Sequence, residues 1–167
     1  SAFLDRKESR KMDLFTQYAV VTAEMAMQDA GLSVEEGNLD PDRGGVIWGS
    51  GIGGFQTFMN EAKNYYTGDG TPRFSPFFIP SSIANMAAGQ ISIQLRLNGP
   101  NIAAVSACTT GVHNIGLAGR MIAAGDADAM VAGGCEMAVN PVGLAGFCSD
   151  RALSTRNDDP AAASRPW

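Results

Sequence analysis

Apolar residues along this chain fall into two alternating rhythms. In "KMDLFTQYAVVTAEMAMQDAG", Met12, Phe15, Tyr18, Ala19, Ala23, Ala26 and Ala30 recur at helical spacing and Gly31 supplies a stop, which predicts a helix over 12–30. An acidic, proline-containing loop follows, and "GGVIWGSG" (44–51) then reads as a short buried strand running into glycines. Helical spacing returns from Phe55 to Tyr66 and ends in the polar turn "TGDGTP". "SPFFIPSS" reads as a rigid aromatic loop, where Ser81 or Ser82 can cap a helix from Ile83 to Leu97 that "NGP" breaks. "NIAAVSA" (101–107) predicts a strand, 109–124 a helix, "DAMVAGG" (128–134) another strand and 141–148 a short helix. The two later strands are apolar throughout, so the expected class is α/β, with a parallel sheet covered by helices on both faces.

Composition narrows the picture. With 167 residues the chain can form one domain with a real core, yet it is short for an enzyme that buries a long substrate. Apolar residues make up 45% and charged residues 17%, a compact globular balance. A net charge of −5 argues against a nucleic-acid partner. No apolar run approaches the ~20 residues of a membrane helix, and "SAFLDRKESRKMD" lacks the apolar core of a secretory signal. Cys108, Cys135 and Cys148 are widely spaced, fitting neither a disulfide framework nor a metal site, so a cytoplasmic setting is expected. The chain opens without Met in a charged stretch and closes on "ASRPW"; a piece of a longer protein is expected.

Candidate chemistry centres on Cys108. Cys135 and Cys148 read as packing residues, the usual fate of an intracellular cysteine. Cys108 differs, because it falls where a strand ends and a helix begins, with Gly111 three residues on to allow a chain or ligand close approach. The positive end of the helix dipole and unpaired N–H groups there can stabilise a thiolate and a developing oxyanion. The layout is similar to the strand–turn–helix elbow of serine hydrolases with a softer nucleophile. Position alone leaves two readings open, an inert thiol or a nucleophile. His113 is the only histidine, and five residues along a helix (~500°) turn its side chain well away from Cys108. It reads as a locally packed or hydrogen-bonded residue, and acid–base partners for Cys108 are expected from outside these residues.

"VSACTTGVHNIG" resembles the nucleophile segment of the β-ketoacyl-acyl-carrier-protein synthases, in their synthase II branch. "SRKMDLFTQYAV", "GSGIGG", "SPFFIPSSIANMAAGQISI", "GDADAMVAGGCE" and "RALSTRNDDPAAASRPW" agree in order and spacing, over nearly the whole chain. The resemblance implies a thiolase-like fold with α/β/α/β/α layers in the full protein. Residues 1–167 would form a partial N-terminal ketoacyl-synthase domain, without its opening strand and without the C-terminal half. That half would carry two catalytic histidines, a lysine and a second oxyanion N–H.

The implied activity is acyl transfer, a 3-oxoacyl-carrier-protein synthase reaction in fatty-acid elongation. Cys108 would be nucleophile and backbone oxyanion donor, taking an acyl group from the phosphopantetheine of acyl carrier protein, with no further cofactor and no metal. Malonyl-carrier protein would lose CO₂ and its carbanion attack the acyl group, lengthening it by two carbons. Ile52 matches a residue at the bottom of the acyl pocket, and Phe78 one that reaches the pocket of the other subunit of a homodimer. Ala138, Gly143 and Phe147 match positions along the acyl channel and its mouth. Arg6, Lys7, Arg10, Lys11 and Arg73 match positions that meet the acidic carrier protein, where opposite charge would steer encounter. Thr110, Cys135 and Cys148 depart from the commoner residues and bear on chain-length preference near Phe147. The alternatives are a polyketide ketosynthase, or a non-catalytic chain-length or scaffold subunit of the same fold, against which the retained Cys108 speaks. The 167 residues alone are expected to be inactive and to expose an apolar face.

Overall fold

The computed structural model describes residues 4–71 and 73–166, so Pro72 of the expected turn and the closing Trp167 lie outside the described residues. The chain divides into two compact units, one running to Met137 and one from Ala138.

In the first unit, Asp5 opens the four-residue helix α1 (Arg6–Ser9), its carboxylate accepting the Lys7 N–H at 2.9 Å. Asp13 opens α2 (Leu14–Ala30) in the same way through the Phe15 N–H, and Gly31, at φ +65°, closes it in the left-handed region that glycine adopts without a Cβ clash. The buried face of α2 is Phe15, Thr16, Ala19, Val20, Ala23 and Met27, whereas Tyr18, Ala26 and Ala30 are exposed. The stripe is rotated from the one the alanines suggested. Alanine adds little area on either face, so Phe15, Val20 and Met27 decide which face turns inward; each fully buried large side chain is worth about 1.5–3 kcal/mol.

The sheet is parallel, with a central strand β1 (Gly44–Gly49) flanked by β2 (Asn101–Ile102) on one side and β3 (Ala129–Gly134) on the other. Strand β1 is wholly buried and pairs with β3 from Gly44↔Ala129 to Gly49↔Gly134. On one face Val46 and Trp48 join Val131, α2 and helix α5 (Met86–Leu95) in the core. Ile47 alternates to the other face, where it stands beside Leu117 and Met121 of α6 (Thr110–Ala124). Helices thus cover both faces of the sheet, as expected.

Two elements differ from expectation. Strand β2 is only Asn101–Ile102, not 101–107. Beyond Ile102 the chain still runs beside β1, with the Ala104 carbonyl against Gly49, but no ladder pairing follows. β2 lies at the edge of the sheet, with Ile102 and Val105 exposed. "SPFFIPSS" is not a loop either, because Phe78–Ser82 form one helical turn, α4. Neither serine caps α5. Ser81 donates its hydroxyl to the Lys11 carbonyl at 2.8 Å and Ser82 to the Phe78 carbonyl at 2.6 Å, so both are already engaged, and α5 starts only at Met86. Before α4, helix α3 (Phe55–Thr67) buries no residue fully, and its Phe58 joins Phe74 in flanking Phe78, with ring centroids 6.0 and 5.2 Å away.

In the second unit, Asn140 caps α7 (Pro141–Ser149) by accepting the Gly143 N–H at 2.9 Å, with Pro141 in the first turn, where it sacrifices no helical hydrogen bond. Among the described residues no helix is long and apolar enough to cross a membrane.

Candidate functional site

Cys108 is exposed on a single 3₁₀ turn, Ala107–Thr109, that links the edge strand to α6. The residue before it, Ala107, has φ +53°, a left-handed conformation that costs a non-glycine residue about 1 kcal/mol or more. Such a backbone persists only where its surroundings hold it, and Ser106 is the hub that does so. Its N–H donates to the Thr110 hydroxyl at 2.9 Å, and its carbonyl accepts the Thr109 hydroxyl at 2.8 Å. Its own hydroxyl shares a 2.6 Å hydrogen bond with Nδ1 of His113. Thr110 is buried, so the turn is fastened to the first residue of α6. His113 therefore bonds locally, one helical turn above the elbow, as its spacing suggested.

Gly111 does allow a close approach, but the element that approaches is β3. A Cβ on Gly134 would stand 3.0 Å from the Gly111 nitrogen, and Asn114 of α6, fully buried, donates to the Gly133 carbonyl at 2.8 Å. These contacts dock the start of α6 on the end of β3, which sets the height of Cys108 above the sheet.

The other cysteines part company. Cys135 is half-buried, directing its thiol toward the Gly49 carbonyl at 3.8 Å. Burial pushes that thiol up to about 12; the Trp48 indole draws it back in part and the Glu136 charge adds to the rise. Cys148 is exposed on α7, contrary to the packing role expected, because that helix buries only Gly143 within its unit.

The pocket candidates occupy two places. Ile52, half-exposed, rides on the glycine turn after β1, and Phe78 on α4. The Gly54 N–H donates to the Ser82 carbonyl at 2.9 Å, so the turn bearing Ile52 and the helix bearing Phe78 are joined. Ala138, Gly143 and Phe147 belong to the second unit, where Gly143 and Phe147 are four residues apart on one face of α7 and the Ala138 carbonyl accepts the Asn140 N–H at 2.9 Å.

Of the basic residues, Arg6, Lys7 and Arg10 are exposed on and just after α1, and Arg73 is exposed in the segment leading to α4. Lys11 is not a free cation. Its ammonium pairs with Glu8 at 2.7 Å and lies 5.9 Å from the Phe77 ring centroid.

Sequence reasoning missed three residues that shape this region, Ser50, Ser106 and Glu136. Ser50 is fully buried at the end of β1, its hydroxyl accepting the Gly53 N–H at 2.9 Å and meeting a Glu136 carboxylate oxygen at 3.2 Å. Nothing in the local pattern marks Glu136, whose partners Ser50 and Ile52 lie more than eighty positions away. Ser106 had one signal, a small hydroxyl residue just before the elbow, of the kind that bonds its own turn.

Known proteins share this arrangement. The family described as "Beta-ketoacyl synthase, N-terminal domain" matches residues 2–167. The 3-oxoacyl-[acyl-carrier-protein] synthase 2 of Vibrio cholerae is 54% identical over 165 residues, 99% of this chain and 39% of that protein. Its counterpart from Coxiella burnetii is 55% identical over 164 residues, 98% of this chain and 39% of that protein. The chain thus spans about two-fifths of the length of the curated relatives it matches. Among solved structures, a β-ketoacyl synthase from Burkholderia phymatum STM815 superposes with a TM-score of 0.83 at 31% identity, over 99% of this chain and 40% of that one. A type II polyketide-synthase ketosynthase, bound to the hexaketide and in complex with its acyl-carrier protein, superposes at 0.80 with 25% identity, over 92% of this chain and 44% of that one. The α/β fold is thiolase-like, as these likenesses require.

Proposed function

The chain belongs to the β-ketoacyl synthase family, and on that premise we propose that the protein it forms part of is a condensing acyltransferase that elongates fatty acyl chains on acyl carrier protein. The observation that carries this reading is the exposed Cys108 on a strained turn between an edge strand and α6.

In this reading the Cys108 thiolate attacks the thioester carbonyl of an acyl group carried on phosphopantetheine. The tetrahedral oxyanion is held in part by the Cys108 backbone N–H, and the carrier's thiolate departs. An acyl-cysteine remains. Malonyl-carrier protein then binds and loses CO₂, and the electron pair of the broken C–C bond becomes a carbanion at C2. That carbon attacks the acyl-cysteine carbonyl, the C–S bond breaks, and Cys108 leaves as thiolate. The product is a 3-oxoacyl chain two carbons longer. Stabilising the enolate falls to two histidines from the rest of the protein.

Ile52 and Phe78 are assigned to the acyl pocket, and Ala138, Gly143 and Phe147 to its channel. Arg6, Lys7, Arg10 and Arg73 form the patch for the acidic carrier protein, with Lys11 contributing less because Glu8 neutralises it. The exposed edge beside β2, with Ile102 and Val105 uncovered, is assigned to a homodimer contact. The setting is cytoplasmic, with no cofactor beyond the carrier's phosphopantetheine. Higher identity to the synthase 2 relatives than to the polyketide ketosynthase favours fatty acids as the product class.

The test uses the full-length protein. Incubation with acyl-carrier protein and mapping of the modified peptide should place the acyl group on Cys108, and Cys108→Ala should abolish both loading and 3-oxoacyl product. Acylation of Cys148, or turnover that survives in the variant, removes the assignment.

A further inference from the structure

The structure assigns to Glu136 a positioning role in that same site: its carboxylate sets the distance between the nucleophile and the floor of the acyl pocket, and hence the chain length the enzyme accepts. This inference rests on the reading of Cys108 and Ile52 given above.

Glu136 stands just past β3, on the same side of the sheet as the turn that leaves β1. One carboxylate oxygen accepts the backbone N–H of Ile52 at 2.9 Å. The other accepts the Ser50 hydroxyl at 3.2 Å and the Met137 N–H at 3.2 Å. Ser50 in turn receives the Gly53 N–H at 2.9 Å. Two joints of the glycine turn, at positions 50 and 52, thus depend directly on one side chain, and a third, at 53, depends on it through Ser50. Charge-assisted bonds of this kind are the stronger ones, and an N–H left without its acceptor loses more than a neutral bond would.

The same turn touches the nucleophile's elbow. A Cβ on Gly51 would come within 2.9 Å of the Glu136 carboxylate and 3.7 Å of the Cα of Ala107, the left-handed residue before Cys108. Gly51 is exposed and carries the turn past the elbow, with only the Glu136 carboxylate crowding the place its side chain would take. On its far side the turn is held at Gly53, where φ is +81° and a Cβ would meet the Ser82 carbonyl at 2.7 Å. Moving the Glu136 contact must move Ile52, and with it the turn that passes Ala107. A chain attached at Cys108 and ending at Ile52 has its length fixed by the separation of those two points. Glu136 touches neither substrate nor sulfur; it acts through Ile52 and Gly51.

The experiment compares full-length wild type, Glu136→Gln and Ser50→Ala with a series of saturated acyl-carrier substrates of increasing length, measuring kcat/KM for each and melting temperature for all. Glu136→Gln keeps the shape but turns an N–H₂ either toward the Ile52 N–H or toward the Ser50 hydroxyl and the Met137 N–H. The expected result is a change of about tenfold in the ratio of long-chain to short-chain kcat/KM, with iodoacetamide still alkylating Cys108. Ser50→Ala should shift the ratio in the same direction and carries the test where Glu136→Gln does not fold. A ratio that stays within about twofold of wild type in the folded variants overturns the positioning role. A wild-type protein that loads no acyl chain at all overturns the underlying reading instead, so the two failures are distinct.

Discussion

Asp13 and Thr57 are joined through one carboxylate oxygen, which accepts the Thr57 N–H at 2.8 Å and its hydroxyl at 2.7 Å, while the other oxygen accepts the Phe15 N–H at 3.3 Å. Asp13 thereby caps its own helix, α2, and also the first turn of α3, whose N-cap Gly54 offers no side chain. Two helix dipoles converge on one buried carboxylate. Asp13→Ala in the intact protein should cost about 2–3 kcal/mol, and Thr57→Val, which loses one bond of the set, about 1 kcal/mol. Thermal or urea melting of the two variants checks the order; a loss below about 0.5 kcal/mol for Asp13→Ala contradicts the double cap.

Ala107 offers the opposite expectation. With φ at +53° it holds a conformation that glycine would adopt without strain, so Ala107→Gly should raise stability by up to about 1 kcal/mol even after the added freedom of the unfolded chain is counted. Ala107→Val, branched at Cβ, should lower it by more. The same Gly variant should load acyl chains more slowly, since a turn that several conformations satisfy holds Cys108 less firmly. Melting curves and single-turnover acylation together check this; faster loading with Gly argues that the strain is incidental.

Cys135 should resist alkylation at ordinary pH. With its thiol pushed up to about 12, only about one molecule in ten thousand carries the thiolate at pH 8, against about one in ten for an unperturbed cysteine. A raised value in the fold means the neutral thiol is favoured there. The associated stability is complete below the unfolded value, near pH 9, and is lost as pH rises toward 12. Cys135→Ala should flatten the alkaline limb of a stability–pH curve. Rapid iodoacetamide labelling of Cys135 in the native protein at pH 8 is the contrary result.

Arg43 ties β1 to the turn before β3, reaching the carbonyls of Gly125 and Asp126 as well as the Asp128 carboxylate at 2.6 Å. The hydrogen bond from the guanidinium holds the Asp128 carboxyl below its usual range; desolvation opposes it and the guanidinium's charge adds to it. A depressed value means stability that is present above the unfolded value, near pH 4, and lost as pH falls through the folded one. Both groups face water, so the effect is small and salt-sensitive. Asp128→Asn should remove this part of the acid dependence while leaving the neutral-pH fold intact; an unchanged acid limb by melting contradicts it.

Much of this architecture is readable from local pattern. The alternation of apolar runs and glycine stops names three strands and their covering helices, because a buried parallel strand must be apolar on both faces. Cys108, between strand and helix, stands apart from the other two cysteines by its place at an elbow. What local pattern does not encode is anything joined across long separations. Asp13 reaches Thr57 forty-four positions on, Ser81 reaches back to Lys11, and Glu136 reaches Ile52 from the end of a different strand. Glu136 and Ile52 meet only because the parallel sheet brings the exits of β1 and β3 to the same end, and all three pairs depend on packing. Packing likewise made β3, a chain and not a ligand, the element that approaches Gly111, and turned the Ser81 hydroxyl from a cap into a tie to Lys11. Residue identity specified which groups can react or bond, while the chain's path through space chose their partners.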